Sequence, residues 1–142
     1  MQCIFCKIIN NELPVSKVYE DAYTLAFMDI RPANTGHLLI VPKAHHALLR
    51  EMPLELADHL FQVAIRIERA LWQADIPCEG TNLLQNNGAA AWQEVHHVHV
   101  HVIPRLSGDY TRIRLSLAPL KPARIELDET ARQIEAALGQ RI

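Results

Sequence analysis

Three histidines in strict alternation, His97, His99 and His101, are the residues of this chain best suited to chemistry. They lie in the run His96-His97-Val98-His99-Val100-His101-Val102-Ile103-Pro104-Arg105. In an extended segment successive side chains point to opposite faces. The three imidazoles would then share one face, while Val98, Val100 and Val102 turn to the other and can enter a core. The valines are β-branched and favour a strand, which supports this reading. Neighbouring imidazoles would be carried on Cα atoms about 6.5–7 Å apart, two strand residues. A phosphoryl group fits that spacing. Neutral imidazole is a nucleophile near pH 7 and a common zinc ligand, so a metal site stands beside phosphoryl chemistry here, as does a merely solvated face.

The loop ahead of the row, Gln85-Asn86-Asn87-Gly88-Ala89-Ala90-Ala91-Trp92-Gln93-Glu94-Val95, joins turn formers to a run of small residues. Small side chains let backbone N–H groups approach an anion closely. Asn86 and Gln93 could donate amide hydrogens to phosphate oxygens without adding charge. Alone, this stretch reads as a hairpin connection; leading directly into the histidines, it reads as a phosphate cradle. Near the N-terminus, Cys3 and Cys6 have the C-x2-C spacing of a zinc knuckle, although one pair supplies only two of four tetrahedral ligands. Two small buried thiols are the alternative. Cys78 has no partner in sequence and is expected to pack as a small apolar residue. His46, His59 and His96 read as surface or loop positions.

The elements that must position these groups follow from periodicity. Strand-like runs occur at Lys17–Tyr19, Thr24–Met28, His37–Val41, Thr81–Gln85 and His97–Ile103, each bounded by Gly, Pro, Asn or Asp. A helix is expected from Pro53 to about Gln73, because Leu56, Leu60, Val63, Ala64, Ile67 and Leu71 recur at helical spacing. Pro53 suits its first turn, where a missing N–H costs nothing. A second helix is expected from Asp128 to Leu138, with Asp128 as N-cap and Gly139 at the C-terminal cap. Five strands around one long helix and a C-terminal helix predict an α+β domain on a mainly antiparallel sheet.

With 142 residues and 49% hydrophobic content, the chain suits one domain, 1–142, that buries roughly two-thirds of its extended surface. The formal charge is −2 and no basic stretch stands out, which argues against tracking a long nucleic acid. No apolar run reaches a membrane span. The N-terminus lacks a secretory signal, and the three cysteines form no disulfide framework. A reducing cytoplasm is the expected setting.

With these residues in view, the chain resembles the histidine triad (HIT) superfamily of nucleotide-binding hydrolases and transferases. Its signature is His-x-His-x-His followed by two apolar residues, as in His97-Val98-His99-Val100-His101-Val102-Ile103. The resemblance extends through Cys3-Ile4-Phe5-Cys6-Lys7, Phe27-Met28-Asp29-Ile30-Arg31-Pro32, Gly36-His37 and Pro42-Lys43-Ala44-His45 to Pro104-Arg105, in matching order and spacing. Residues 1–110 match best and the tail 111–142 least.

The resemblance implies the HIT-like fold and a set of roles. His99 is the nucleophile that attacks an α-phosphorus and forms a covalent nucleotidyl-histidine, which water hydrolyses. The carbonyl of His97 holds its Nδ1 proton. His101 is a cationic stabiliser beside the phosphate oxygens, and Gln93 a phosphate contact that also serves catalysis. Asn86 lies near phosphate and ribose, His37 in the pocket, Asp29 under the ribose hydroxyls and Ile30 against the base. Some bacterial relatives bind structural zinc, which here implies Cys3, Cys6, His45 and His97. Catalysis itself needs no cofactor.

The implied activity is hydrolysis of purine nucleoside phosphoramidates or adenylyl compounds, by a homodimer with a purine nucleotide as partner. A dinucleoside polyphosphate hydrolase is the rival within the family, and Arg105-Leu106-Ser107-Gly108-Asp109-Tyr110 resembles that branch. A non-catalytic nucleotide-binding or zinc-stabilised interaction module is the rival from another class. Two departures bear on leaving-group choice: Glu94 replaces a small hydroxyl residue, and Trp92 stands where many relatives carry glycine.

Overall fold

The computed structural model describes residues 2–109 and 121–139. In chain order the elements are α1 (Ile4–Ile9), β1 (Lys17–Glu20), β2 (Thr24–Met28), β3 (Leu38–Pro42), α2 (Leu54–Gln73), β4 (Gly80–Gln85), β5 (Val100–Arg105) and α3 (Arg124–Leu138), with short 3-10 turns at Leu49–Glu51 and Ala89–Ala91. The strands form one sheet in the order β1-β2-β3-β5-β4, and every neighbouring pair is antiparallel. This is the α+β arrangement that the strand and helix spacing predicts.

Every residue of β2 and β3 is buried, because both faces of the sheet centre are covered and the alternation of a half-wet strand is lost. On one face Ala26, Met28, Leu38, Ile40, Val98, Val100 and Val102 pack against Leu60, Val63, Ala64, Ile67 and Leu71 of α2, and against Leu127, Ala131 and Ile134 of α3. On the other face Leu25, Phe27, Leu39 and Val41 pack around Phe5 of α1. The valines of the histidine run therefore enter the main core, as their alternation requires. Cys78 is half-buried against that core.

Helix α3 begins at Arg124, four residues ahead of the expected start. Ala123 holds the cap position without a side-chain hydrogen bond. Asp128 is not an N-cap: its carboxylate accepts a hydrogen bond from Ser16 Oγ at 2.6 Å, and Ser16 Oγ accepts one from Arg124 at 2.8 Å. The buried stripe Leu127, Ala131, Ile134 and Ala137 starts before Asp128, and packing on that stripe, rather than a local cap, extends the helix upstream. Gly139 does follow the helix, in a right-handed conformation at φ −73°. Pro53 lies at the cap of α2, just outside its first turn, where its carbonyl accepts hydrogen bonds from Leu56 and Ala57.

The histidine segment becomes strand only at Val100. Its neighbours explain why. Val100 pairs with Ile40 on one side and Gln85 on the other, and β3 and β4 end shortly beyond at Pro42 and Gln85. Upstream, Val98 N–H donates to the carbonyl of His46 instead, at 2.8 Å. Likewise β3 starts at Leu38, one residue after His37. His37 closes the β2–β3 loop through Asp29 N–H, which donates to its carbonyl at 3.1 Å. Gly36 precedes it at φ +93°, and an added Cβ would lie 2.7 Å from Ile76 Cδ1. Glycine is thus required there twice, by backbone conformation and by close packing. Among the described residues, no helix is long and apolar enough to cross a membrane.

Candidate active site

The site forms where the ends of β3 and β5 meet the loops that follow β2, β3 and β4. His99 and His101 rise from one side of the extended segment with ring centroids 5.0 Å apart. Phe5 of α1 sets its edge against both His97 and His99, at 5.9 and 5.1 Å. The segment is held from the side by the loop after β3. Besides Val98 to His46, Gln93 Nε2 donates to Ala47 O at 2.7 Å, and Leu49 N–H donates to Asn87 Oδ1 at 2.8 Å.

Hydrogen bonds decide which ring nitrogen of each histidine carries the proton. A carbonyl can only accept, so His99 Nδ1, 2.7 Å from His97 O, must donate. Neutral His99 therefore keeps the lone pair of Nε2, which has no partner among the described residues. Ala33 N–H donates to His37 Nδ1 at 2.9 Å. The proton of neutral His37 is then on Nε2, which donates to His101 Nδ1 at 2.9 Å. Neutral His101 is left with Nε2–H, likewise without a partner among the described residues. One Nε2 lone pair and one Nε2–H thus stand on neighbouring rings. Each ring is 6% exposed, enough to meet a ligand while water is largely excluded.

Burial pushes all three of these imidazoles toward the neutral form. His37 is pushed down to about 4 by burial. His101 is pushed down to about 3, first by burial and then by neighbouring His37 and His99. His99 is lowered mainly by burial, opposed by its bond to His97 O and by the charges of Asp29 and Glu94. In the ligand-free protein His101 is therefore driven toward a neutral N–H donor, because its surroundings are buried and hold two further imidazoles.

The remaining expected contacts fall into two groups. Asp29 sits beside His37, with Oδ2 3.5 Å from Nε2, while Oδ1 accepts Arg31 N–H at 2.8 Å. Ile30 next to it is 57% exposed. Asn86 is 8% exposed, and its side-chain amide has no hydrogen-bond partner among the described residues. Gln93 differs. Both hydrogens of its amide go to backbone carbonyls, of Ala47 and Val95, and its oxygen accepts Gly88 N–H at 2.7 Å. In this state Gln93 shapes the loop and has no hydrogen left to offer. The stretch from Arg105 to Asp109 is a structural knot: Arg105 makes two bonds to Asp109 and one to Asn82, and Asn34 Nδ2 donates to Pro104 O and Asp109. Tyr110 lies outside the described residues.

A second cluster adjoins the first. Cys3, Cys6, His45 and His97 bring their ligand atoms within 4.8 Å of one another. His97 Nε2 donates to Pro42 O at 2.8 Å, which leaves Nδ1 as the free lone pair. That Nδ1 lies 3.5 Å from Cys3 Sγ, 3.6 Å from Cys6 Sγ and 3.2 Å from His45 Nδ1, and Cys6 Sγ lies 3.4 Å from His45 Nδ1. A tetrahedron around zinc has edges of roughly 3.3 Å between nitrogens and 3.6 Å between nitrogen and sulfur. Four of the six separations already match those edges and the other two lie within 4.8 Å, so the donor set and spacing fit the ion. The carbonyl behind His97 is the outer-shell acceptor that such ligands use to fix their tautomer.

A family model of the HIT domain matches residues 10–108. The chain belongs to the HIT domain family. An uncharacterized HIT-like protein of Methanocaldococcus jannaschii is 42% identical over 134 residues, covering 94% of this chain and 98% of that one. The adenosine 5'-monophosphoramidase HNT1 of Saccharomyces cerevisiae is 46% identical over 103 residues, covering 72% and 62%. Among solved structures, a zinc-bound histidine triad family protein from Mycobacterium smegmatis superposes with a TM-score of 0.86 at 37% identity, over 97% of this chain and 94% of that one. The HIT-domain match starts at residue 10, beyond Cys3 and Cys6. Only packing of α1 on the sheet brings the two thiols to this HIT protein's His45 and His97.

Sequence reasoning missed Ala33 N–H and Pro42 O, which set tautomers, and the ring of Phe5, which packs against His97 and His99. Backbone groups carry no residue-type signal, and Phe5 is one aromatic among apolar neighbours. It also missed the bond of His59 to Asp21, at 2.7 Å.

The neutral pair predicts acid sensitivity of the HIT fold. His37 and His101 face each other, and Asp29 and His99 are the other titratable groups near them. Unfolded histidine takes a proton near 6.5, whereas these two resist it until about 4 and about 3. Between those values the unfolded state binds more protons, so stability present above pH 6.5 falls as the pH drops toward 4. The slope is up to about 1.4 kcal/mol per pH unit for each group. Urea unfolding at a series of pH values should show this, with a shallower slope in His101→Asn. An unchanged slope in that variant would remove His101 from the explanation.

Proposed function

We propose that this HIT protein is a nucleotidyl hydrolase. It acts at the α-phosphate of purine nucleoside phosphoramidates or related adenylyl compounds, through a covalent nucleotidyl-histidine. The observation that carries the reading is the Nε2 of His99, without a partner among the described residues and kept as a lone pair by the bond from Nδ1–H to His97 O. Nε2 attacks the α-phosphorus and forms a P–N bond as the bond to the leaving group breaks. Water then attacks the same phosphorus, the P–N bond breaks, and its electron pair returns to Nε2. Overall one water is consumed, its hydroxyl going to phosphorus and its proton to the leaving group. Splitting one displacement into two lowers each barrier.

His101 Nε2–H donates to a non-bridging oxygen as charge builds there, in a site that needs little reorganisation. His37 is a positioning residue that keeps this hydrogen on the outer nitrogen of His101. Asn86 supplies an amide that has no hydrogen-bond partner among the described residues. Asp29 accepts the ribose hydroxyls, and exposed Ile30 covers the base. Cys3, Cys6, His45 and His97 hold a structural zinc, which ties α1 to the segment that carries His99. The yeast relative's name as a monophosphoramidase supports this reaction class.

Release of AMP from adenosine 5'-phosphoramidate tests the proposal. Folded, metal-replete protein that binds adenosine nucleotides but turns over no adenylyl substrate would leave the non-catalytic binding module in its place. The choice of phosphoramidate over dinucleoside polyphosphate rests on Glu94. Its carboxylate is exposed, and its charge reaches His99, which disfavours a polyanionic leaving group. Glu94→Ser should raise kcat/KM for a diadenosine polyphosphate relative to the phosphoramidate about fivefold, the effect of one partly screened charge worth about 1 kcal/mol. The gain should shrink in high salt. An unchanged ratio would clear Glu94 of any part in selecting the leaving group.

A further inference from the structure

We propose that Cys3 and Cys6 are a reversible oxidation site, whose disulfide expels the metal and so releases α1 from the ring of His97 in the catalytic segment. The proposal rests on the zinc and nucleophile readings above.

The two thiols are one helical turn apart: Cys3 caps α1, and Cys6 is its third residue. Their sulfurs already lie within 4.8 Å of each other, and residues three apart share a helix face. Cys3 has extended backbone, φ −69° and ψ 127°, and only exposed Gln2 precedes it among the described residues. Cys3 is half-buried beside the Phe5 cluster, and side-chain rotation is the movement that brings the two sulfurs together. The pair is also reachable. A surface cavity of about 260 Å³ opens on Cys3, Cys6 and His45, rimmed by Lys7, Asn10 and Glu12. A small oxidant such as a peroxide enters such a space. The third thiol, Cys78, lies elsewhere, with its sulfur hydrogen-bonded to Gly80 O.

The chemistry balances with hydrogen peroxide as the oxidant. Two zinc-bound thiolates, one peroxide and two protons give one disulfide, two waters and a free zinc ion. The sulfurs lose two electrons in forming the S–S bond, and the peroxide takes them as its O–O bond breaks. Disulfide sulfurs are no longer anionic ligands, so His45 and His97 alone remain, two of four. A small disulfide reagent does the same by thiol exchange and leaves two molar equivalents of its thiol.

The consequence reaches the nucleophile through one residue. His97 presents Nδ1 to the metal, and its own carbonyl holds His99 Nδ1–H. Phe5, in the turn that carries both cysteines, touches both rings. Loss of the metal leaves the ring of His97 with its bond to Pro42 O, so His99 loses orientation rather than its whole surroundings.

The test uses the full chain in reduced, zinc-loaded form, treated with a stoichiometric amount of hydrogen peroxide. Zinc release is read with a colorimetric chelator, the disulfide by intact mass and peptide mapping, and the nucleophile by acid-quenched adenylylation of His99. The expected result is one zinc released per Cys3–Cys6 disulfide. Adenylylation should slow about tenfold, the lower end of what losing a supporting shell costs, and recover with dithiothreitol and zinc. Cys78→Ala should respond identically. Zinc kept through disulfide formation, or adenylylation unchanged in the disulfide form, would overturn the proposal. Reduced protein that never holds zinc, or never adenylylates, defeats the underlying readings instead, and the mass measurement separates these cases.

Discussion

His99→Ala is expected to bind adenosine nucleotides nearly as the parent protein does and to release AMP from an adenylyl substrate at least about 10⁴-fold more slowly, the scale on which deleting a covalent nucleophile acts. His99 is 6% exposed, and among the described residues its ring is bonded through Nδ1–H to His97 O, so its loss removes that bond and the ring contacts with Phe5 and His101. The contacts expected to hold a nucleotide, at Asp29, Ile30 and Asn86, lie on other loops and remain. Brief exposure of the parent protein to an adenosine phosphoramidate, followed by acid quench, should add one adenylate to its mass. The variant should add none. Turnover within tenfold of the parent's would assign the nucleophile elsewhere. His101→Asn provides the contrast: it keeps the Nε2 lone pair of His99 and loses only a donor. Removal of a donor of this kind costs roughly 10²–10³ in rate, and the adduct should still form, slowly.

Metal removal should produce the second large effect, on stability. Protein prepared without added zinc should carry one equivalent per chain, and chelation should lower the melting temperature by on the order of 10 °C. The magnitude follows from linkage: ligand at a thousandfold excess over its Kd contributes about 4 kcal/mol, and a chain of this length shifts by about 2–4 °C per kcal/mol. Four of the six separations between the ligand atoms already match a zinc tetrahedron, and the rest lie within 4.8 Å, so little reorganisation offsets binding. Cys6→Ser should lose the metal and the chelator response together. His37→Asn, in the neighbouring cluster, should keep both. Less than about half an equivalent of zinc, with no change in melting on chelation, would reduce the cluster to a set of packed thiols and imidazoles.

Patterns with a short period were legible without coordinates. Leu56, Leu60, Val63, Ala64, Ile67 and Leu71 mark one face of α2 by their spacing; the last five are in the core, and Leu56, in the first turn, is half-buried at its edge. Val98, Val100 and Val102 alternate into the same core and force the imidazoles to the other side. Boundaries were less legible. Periodicity continues through His97–Ile103, yet the strand begins at Val100 because its partners end at Pro42 and Gln85. Asp128 has the chemistry of a cap and lies inside α3, because the buried stripe already begins at Leu127 and the helix starts one turn before Asp128, at Arg124.

By itself, then, the sequence determined the fold class, the face on which the histidines stand, and a short set of residues for the site. Those depend on neighbours a few positions apart, whose relative directions the backbone period dictates. The tertiary structure alone decided that Cys3 and Cys6 meet His97 across more than ninety residues. It also decided that burial drives His101 toward its neutral form and that Gln93 is occupied by Ala47 O as well as by its own loop. The reason is the same in each case. Protonation and hydrogen bonding depend on which atoms approach a side chain from distant segments, and local spacing carries no record of that approach.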